Sequence, residues 1–314
     1  MVLRRLVFPL SLVLVLGSFA GACTVSTAGP ADAGVRDAAI PDAGPIPDDA
    51  DAAGGAFAYK VTVTDPQDLL TASHVDMVKC LEAALDEWGQ YVTGQGVLTV
   101  ELRVGATATN RMSGASTSSI SIGTCKNTPA PCTLAQDQAI HRLQTGKDNK
   151  AQPGVPDIAV TVSPDYWNKL IWVDPDPKAR TATVPADKLD AISVFTHELG
   201  HAFGIVGYRS LDTYAPSAAP VFLSLYDDQV VVTADALTFE GPKTKAEFGP
   251  IPLTRNNTTQ NVYHYGDTKT KSPYDDALMN GIVYKYALRY RVGRVDLRIL
   301  DDLGVPLRGT LPPQ

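Results

Sequence analysis

The sequence predicts an α+β fold: a twisted mixed sheet, a central helix and a less regular C-terminal subdomain. Three observations lead there. Strand-like alternation and helical periodicity are interspersed between residues 57 and 162. A strongly apolar helical segment, 185–204, follows them. Beyond it the chain runs to about residue 273 with only short strand-like pieces. Hydrophobic residues make up 44% of the 314 and charged residues 19%, an ordinary balance for a chain with a core.

The elements follow in order. "FAYKVTVT" (57–64) alternates and is rich in β-branched residues, so it reads as a strand. Residues 73–92 have a helical period, with Val75, Val78, Leu81, Leu85 and Trp88 on one stripe and Ser73 with Asp76 resembling a capping box. "GVLTVELRV" is a strand with Leu98, Val100, Leu102 and Val104 on one face. "SSISIG" (118–123) reads as a short edge strand, "TLAQDQAIHRLQ" (133–144) as a short helix and "PDIAVTV" (156–162) as a buried strand. The central helix spans 185–204, with Asp187 as N-cap and Gly204 as the left-handed stop. "PVFLSL" and "QVVVTADALTF" are strand-like, and "PKTKAEFG" reads as loop. "GRVDLRILDDLG" is a closing amphipathic helix that ends at Gly304.

The first 22 residues carry Arg4 and Arg5, an apolar run to about Leu16 and then small residues, the pattern of an export signal. The run is short for a membrane span. Ala20, Gly21 and Ala22 before Cys23 resemble a bacterial lipobox, which implies lipidation of Cys23; Thr24 after it resembles outer-membrane sorting, so a cell-envelope (outer-membrane) or extracellular location is expected. Residues 23–55 repeat Ala, Asp, Gly and Pro without bulky apolar periodicity, so a disordered tether is expected. The domain proper is then 56–314, with subdomains of about 56–204 and 205–314. In an exported chain a disulfide is expected, and Cys125 with Cys132 is the first choice, which leaves Cys80 as a helix-buried thiol; pairing of Cys80 with either of them is the alternative. The formal net charge of −7 shows no basic stripe, so nucleic-acid binding is not expected.

The chemistry sits in "FTHELGHAFGIVGYRS" (195–210). In a helix, His197 and His201 at i and i+4 share one face and can point at one metal ion. Glu198 is rotated off that face, where it can reach a water on the metal and act as general base. Zinc suits such a pair and makes water a nucleophile at neutral pH. Catalytic zinc usually takes three protein ligands. The compact HExxHxxGxxH spacing would put the third at position 207, which is glycine here. Asp212, Asp227 and Asp228 are possible carboxylate ligands, and spacing selects none of them. His74 and His141 lie in the earlier helices. His264 remains among the five histidines.

"HELGHAFGI", a long insertion, "YHYGD" and then "YDDALMNG" resemble the leishmanolysin-type branch of the metzincins and its bacterial relatives. "LTFEGPKTKAEFGPIPL" and "VDLRILDDLGVPL" are similar to segments of that family. The resemblance implies a zinc endopeptidase of metzincin-like zincin fold with one catalytic Zn2+. It implies His197, His201 and His264 as ligands, Glu198 as base, Gly204 as the glycine turn and Met279 as the Met-turn floor. The partner is then a protein or peptide substrate, the chain a monomer, and the membrane is met only through the lipid anchor. Two other readings stand beside it. A gluzincin-type site would take Glu240 or Glu247 as third ligand. A non-catalytic envelope lipoprotein would use the same fold for binding.

Overall fold

The computed structural model describes residues 55–312 except 106–110, 127–131, 151, 217–220, 256–260, 267–272, 281–285 and 310. Cys23, the expected export signal and nearly all of the expected tether lie outside the described residues.

Strand β1 (Ala58–Thr64) leads into helix α1 (His74–Gly89), which crosses back to strand β2 (Val97–Val104). The two strands pair in parallel, and a parallel pair needs such a crossover. Leu98, Val100, Leu102 and Val104 face the core, as alternation predicts. The stripe of α1 differs from expectation. Met77, Cys80, Leu81, Ala84, Leu85 and Trp88 are buried, whereas Val75 is 55% exposed. The series from Met77 runs longer at helical spacing, so it buries more apolar surface. The capping box is also absent: Ser73 is itself helical and its side chain caps nothing. Asp65 organises this corner instead, accepting from Leu69 N (2.9 Å) and Leu70 N (2.8 Å) and meeting His74 Nε2 (3.0 Å).

Strand β3 (Met112–Ser116) was not anticipated, because "MSGAS" hides its alternation behind small residues. Strand β4 (Ser119–Thr124) is the expected edge strand. The segment expected to be wholly helical divides into strand β5 (Cys132–Asp137) and helix α2 (Gln138–Thr145). Pairing with β4 and the Cys125–Cys132 disulfide hold its first half extended. Cys80 is a buried free thiol, pushed up to about 12 chiefly by burial. Strand β6 (Ile158–Val162) lies between β2 and β3, parallel to the first and antiparallel to the second. This interior place explains its nearly continuous apolar run. The sheet order is β1-β2-β6-β3.

A short helix α3 (Pro164–Leu170), again unanticipated, precedes strand β7 (Ile171–Trp172). Strand β8 (Leu189–Asp190) pairs with β7, so the central helix α4 (Ala191–Ala202) starts later than expected. Its N-cap is Asp190, not Asp187: the Asp190 carboxylate accepts from Ser193 N at 3.0 Å. Arg180 anchors this cap, reaching Asp190 (2.8 Å), Ser193 Oγ (3.1 Å) and Glu87 of α1. Trp88 Nε1 donates to Thr196 O (3.0 Å), so α1 and α4 are locked together. Every residue of α4 is buried. Gly204, at φ +114°, supplies the expected turn after it.

Strand β9 (Val221–Ser224) extends β5 in parallel, giving a second sheet β4-β5-β9. Strands β10 (Val230–Val232) and β11 (Leu237–Phe239) form an antiparallel pair. Helix α5 (Pro242–Phe248) occupies the stretch read as loop. Pro242 at its first turn and Glu247 bridged to Arg294 and Arg298 account for it. Strand β12 (Ile251–Pro252) completes the third sheet, and helix α6 (Arg294–Asp302) closes the chain as expected. The buried apolar cluster runs from Leu70 to Val305, so both halves of the chain share one core. Among the described residues no helix is long and apolar enough to cross a membrane.

Candidate metal centre

Helix α4 carries His197 and His201 one turn apart on its buried face. His264 comes from a segment tied on both sides. Thr254 N donates to His264 O (2.9 Å), and Tyr265 N donates to Met279 O (3.0 Å). One nitrogen from each of the three rings lies within 4.8 Å of the others, the one such cluster of at least three His, Cys, Asp or Glu among the described residues.

Each ring is oriented through Nδ1 by a backbone carbonyl. His197 meets Leu278 O at 2.8 Å, His201 meets Ile205 O at 2.8 Å and His264 meets Asn261 O at 3.3 Å. Carbonyls only accept, so each Nδ1 carries the proton and each Nε2 keeps its lone pair. The His197 and His264 Nε2 atoms stand 3.2 Å apart, and His201 Nε2 is buried without a hydrogen-bond partner. Burial holds His197 down to about 3 and His201 to about 4, with neighbouring His201 also lowering His197. Burial and the other two rings hold His264 well below the ordinary histidine range. Three neutral imidazoles with facing lone pairs and an orphaned nitrogen fit a borderline divalent cation such as zinc.

Glu198 follows His197 and is also buried. Its Oε2 accepts from Gly114 N of β3 at 2.8 Å. Burial pushes its carboxyl up to about 8, opposed by the Gly114 bond and by Arg111. Met279 is fully buried beneath the helix. A Cβ on Gly200, between the histidines, would fall 2.6 Å from Met279 Sδ, so glycine is what lets the sulfur approach. The next residue after His264, Tyr265, bonds its hydroxyl to buried Asp296 of α6, which also accepts from Gly293 N at 2.7 Å. Asp296, Gly114 and the three carbonyl partners were not read from the sequence; only "MSGAS" held any signal, a glycine inside a possible strand.

The other ligand candidates lie elsewhere. Glu240 pairs with Lys245 at 2.5 Å, and Glu247 with Arg298 at 2.6 Å. Asp228 accepts from Lys126 N at 3.0 Å, and Asp212 is exposed. Asp227 explains Gly207: a side chain at 207 would collide with its carboxylate, which also takes Tyr208 N at 2.6 Å. A histidine at 207 therefore has no room.

Asp227 faces a second buried acid, Asp137, whose carboxyl burial and the Asp227 charge push up to about 7. The unfolded value lies near 3.8, so between about pH 4 and 7 the folded chain holds a proton that the unfolded chain has lost. This group's contribution therefore falls as pH rises through that window. Asp137→Asn is expected to gain stability on its parent as pH goes from 5 to 8, by about 2.5 kcal/mol. Urea midpoints of both proteins at the two pH values check this. The buried histidines titrate in both and cancel. An unchanged difference between parent and variant would sink the prediction.

Fold and cluster together define an α+β chain with a three-histidine candidate metal centre and an adjacent buried carboxylate. No family model, curated protein or solved structure matches the chain.

Proposed function

We propose that the chain is a zinc endopeptidase of the leishmanolysin-like metzincin type, exported and anchored through Cys23. The carrying observation is the convergence of His197, His201 and His264 beside a carboxylate held in place, Glu198. Bound zinc would supply Lewis acidity toward the scissile carbonyl and a water activated near neutral pH. Glu198 takes the proton of the attacking water and delivers it to the leaving amine. A cation beside it favours the ionised form that this role needs. The three rings would hold the ion, and Met279 would form the floor of the site.

The gluzincin reading is disfavoured because Glu240 and Glu247 are each bound to cationic side chains. A binding-only lipoprotein has no use for a carboxylate fixed beside the metal. The test is digestion of an unfolded protein by the full chain. Cleavage is expected, lost on chelation and restored by zinc. A zinc-loaded chain that cleaves no unfolded protein would leave the binding reading in its place.

A further inference from the structure

We infer that Gly114 is a positioning residue: its backbone N–H fixes the carboxylate of Glu198 for proton transfer, and only glycine fits there. The inference rests on the proposed peptidase reading. Strand β3 is the edge of its sheet. Its backbone groups alternate between β6 and the outer side, as in any antiparallel pair. Ser163 N donates to Arg111 O (3.1 Å) and Thr117 N to Asp157 O (3.0 Å), so the odd-numbered residues face β6. Gly114 therefore turns its N–H outward, where an edge strand normally leaves a donor unpaired. Here Glu198 Oε2 accepts it at 2.8 Å.

Two consequences follow. The bond selects one rotamer of a long side chain and occupies one oxygen. Oε1 makes no hydrogen bond among the described residues and is left to accept a proton. The missing side chain matters equally. A Cβ at 114 would fall 2.6 Å from the Glu198 carbonyl carbon and 2.8 Å from its Cβ. Backbone cannot swing aside as a flexible side chain can, so β3 would have to lift off α4 and take the N–H with it. General bases lose efficiency steeply with displacement, and about 1 Å can cost 100-fold.

Two measurements on the full chain test this. In Gly114→Ala, kcat should fall about 10- to 100-fold, with zinc content and KM near those of the parent. A purely structural role would instead lower zinc content or raise KM along with any loss of turnover. The second measurement is amide hydrogen exchange at Gly114 in the zinc-loaded parent and in Glu198→Ala, and it does not depend on activity. Losing a charged acceptor should speed exchange about 10- to 100-fold. Unchanged kcat in a folded Gly114→Ala, or unchanged exchange in Glu198→Ala, overturns the inference. If Gly114→Ala does not fold, the exchange result decides. A parent without peptidase activity, by contrast, overturns the peptidase reading itself and with it any role for Gly114 in proton transfer.

Discussion

Replacing His264 with alanine is expected to empty the metal site. The parent should carry about one zinc per chain by elemental analysis, and the variant only a small fraction of that. His197 and His201 would then offer two nitrogens where catalytic zinc takes three protein ligands. Changes to mere outer-shell partners already cost about 10- to 100-fold in metal affinity, so loss of a direct ligand should cost more. The variant should still fold. His264 sits on a segment held by backbone bonds from Thr254 and Tyr265 that its side chain does not make. Circular dichroism of the metal-free proteins checks that point. A folded variant that keeps its zinc removes His264 from the ligand set. The leishmanolysin-like assignment would fall with it.

Replacing Glu198 with glutamine should separate chemistry from architecture. The glutamine carbonyl can still accept from Gly114, and the residue volume is preserved. Zinc content and KM should therefore remain close to the parent's. Turnover should drop about 100- to 10,000-fold, the range that a positioned general base supplies. The measurement is the rate of cleavage of a denatured protein by zinc-loaded parent and variant. Equal rates would show that another group moves the proton, and the role given to Glu198 would be abandoned.

These residues were unequally legible in the sequence. His197, Glu198 and His201 lie within one helical turn, so their geometry is local and i, i+4 spacing reads it directly. His264 could be named only from a resemblance, because its approach depends on the chain returning beside Met279. Local signals misled where pairing overrode them. Asp187 looked like a cap, but Leu189 and Asp190 pair with β7 and Arg180 holds Asp190 at the helix start. "TLAQD" looked helical, but its pairing with β4 and β9 keeps it extended. For Gly114 the one local signal is a glycine inside a possible strand, which does not say what it lies against. Its importance comes from lying against Glu198, a contact between residues 84 apart in sequence.

The Nδ1 partners of the three imidazoles are peptide carbonyls, at Leu278, Ile205 and Asn261. Every amino acid brings the same carbonyl, so no single substitution at 205, 261 or 278 can delete an acceptor, as replacing an orienting aspartate would. The ring tautomers are thus insulated from mutation, and are vulnerable only to changes that shift the main chain. Drift can then change the side chains at these three positions, where packing allows, without removing a ring's acceptor.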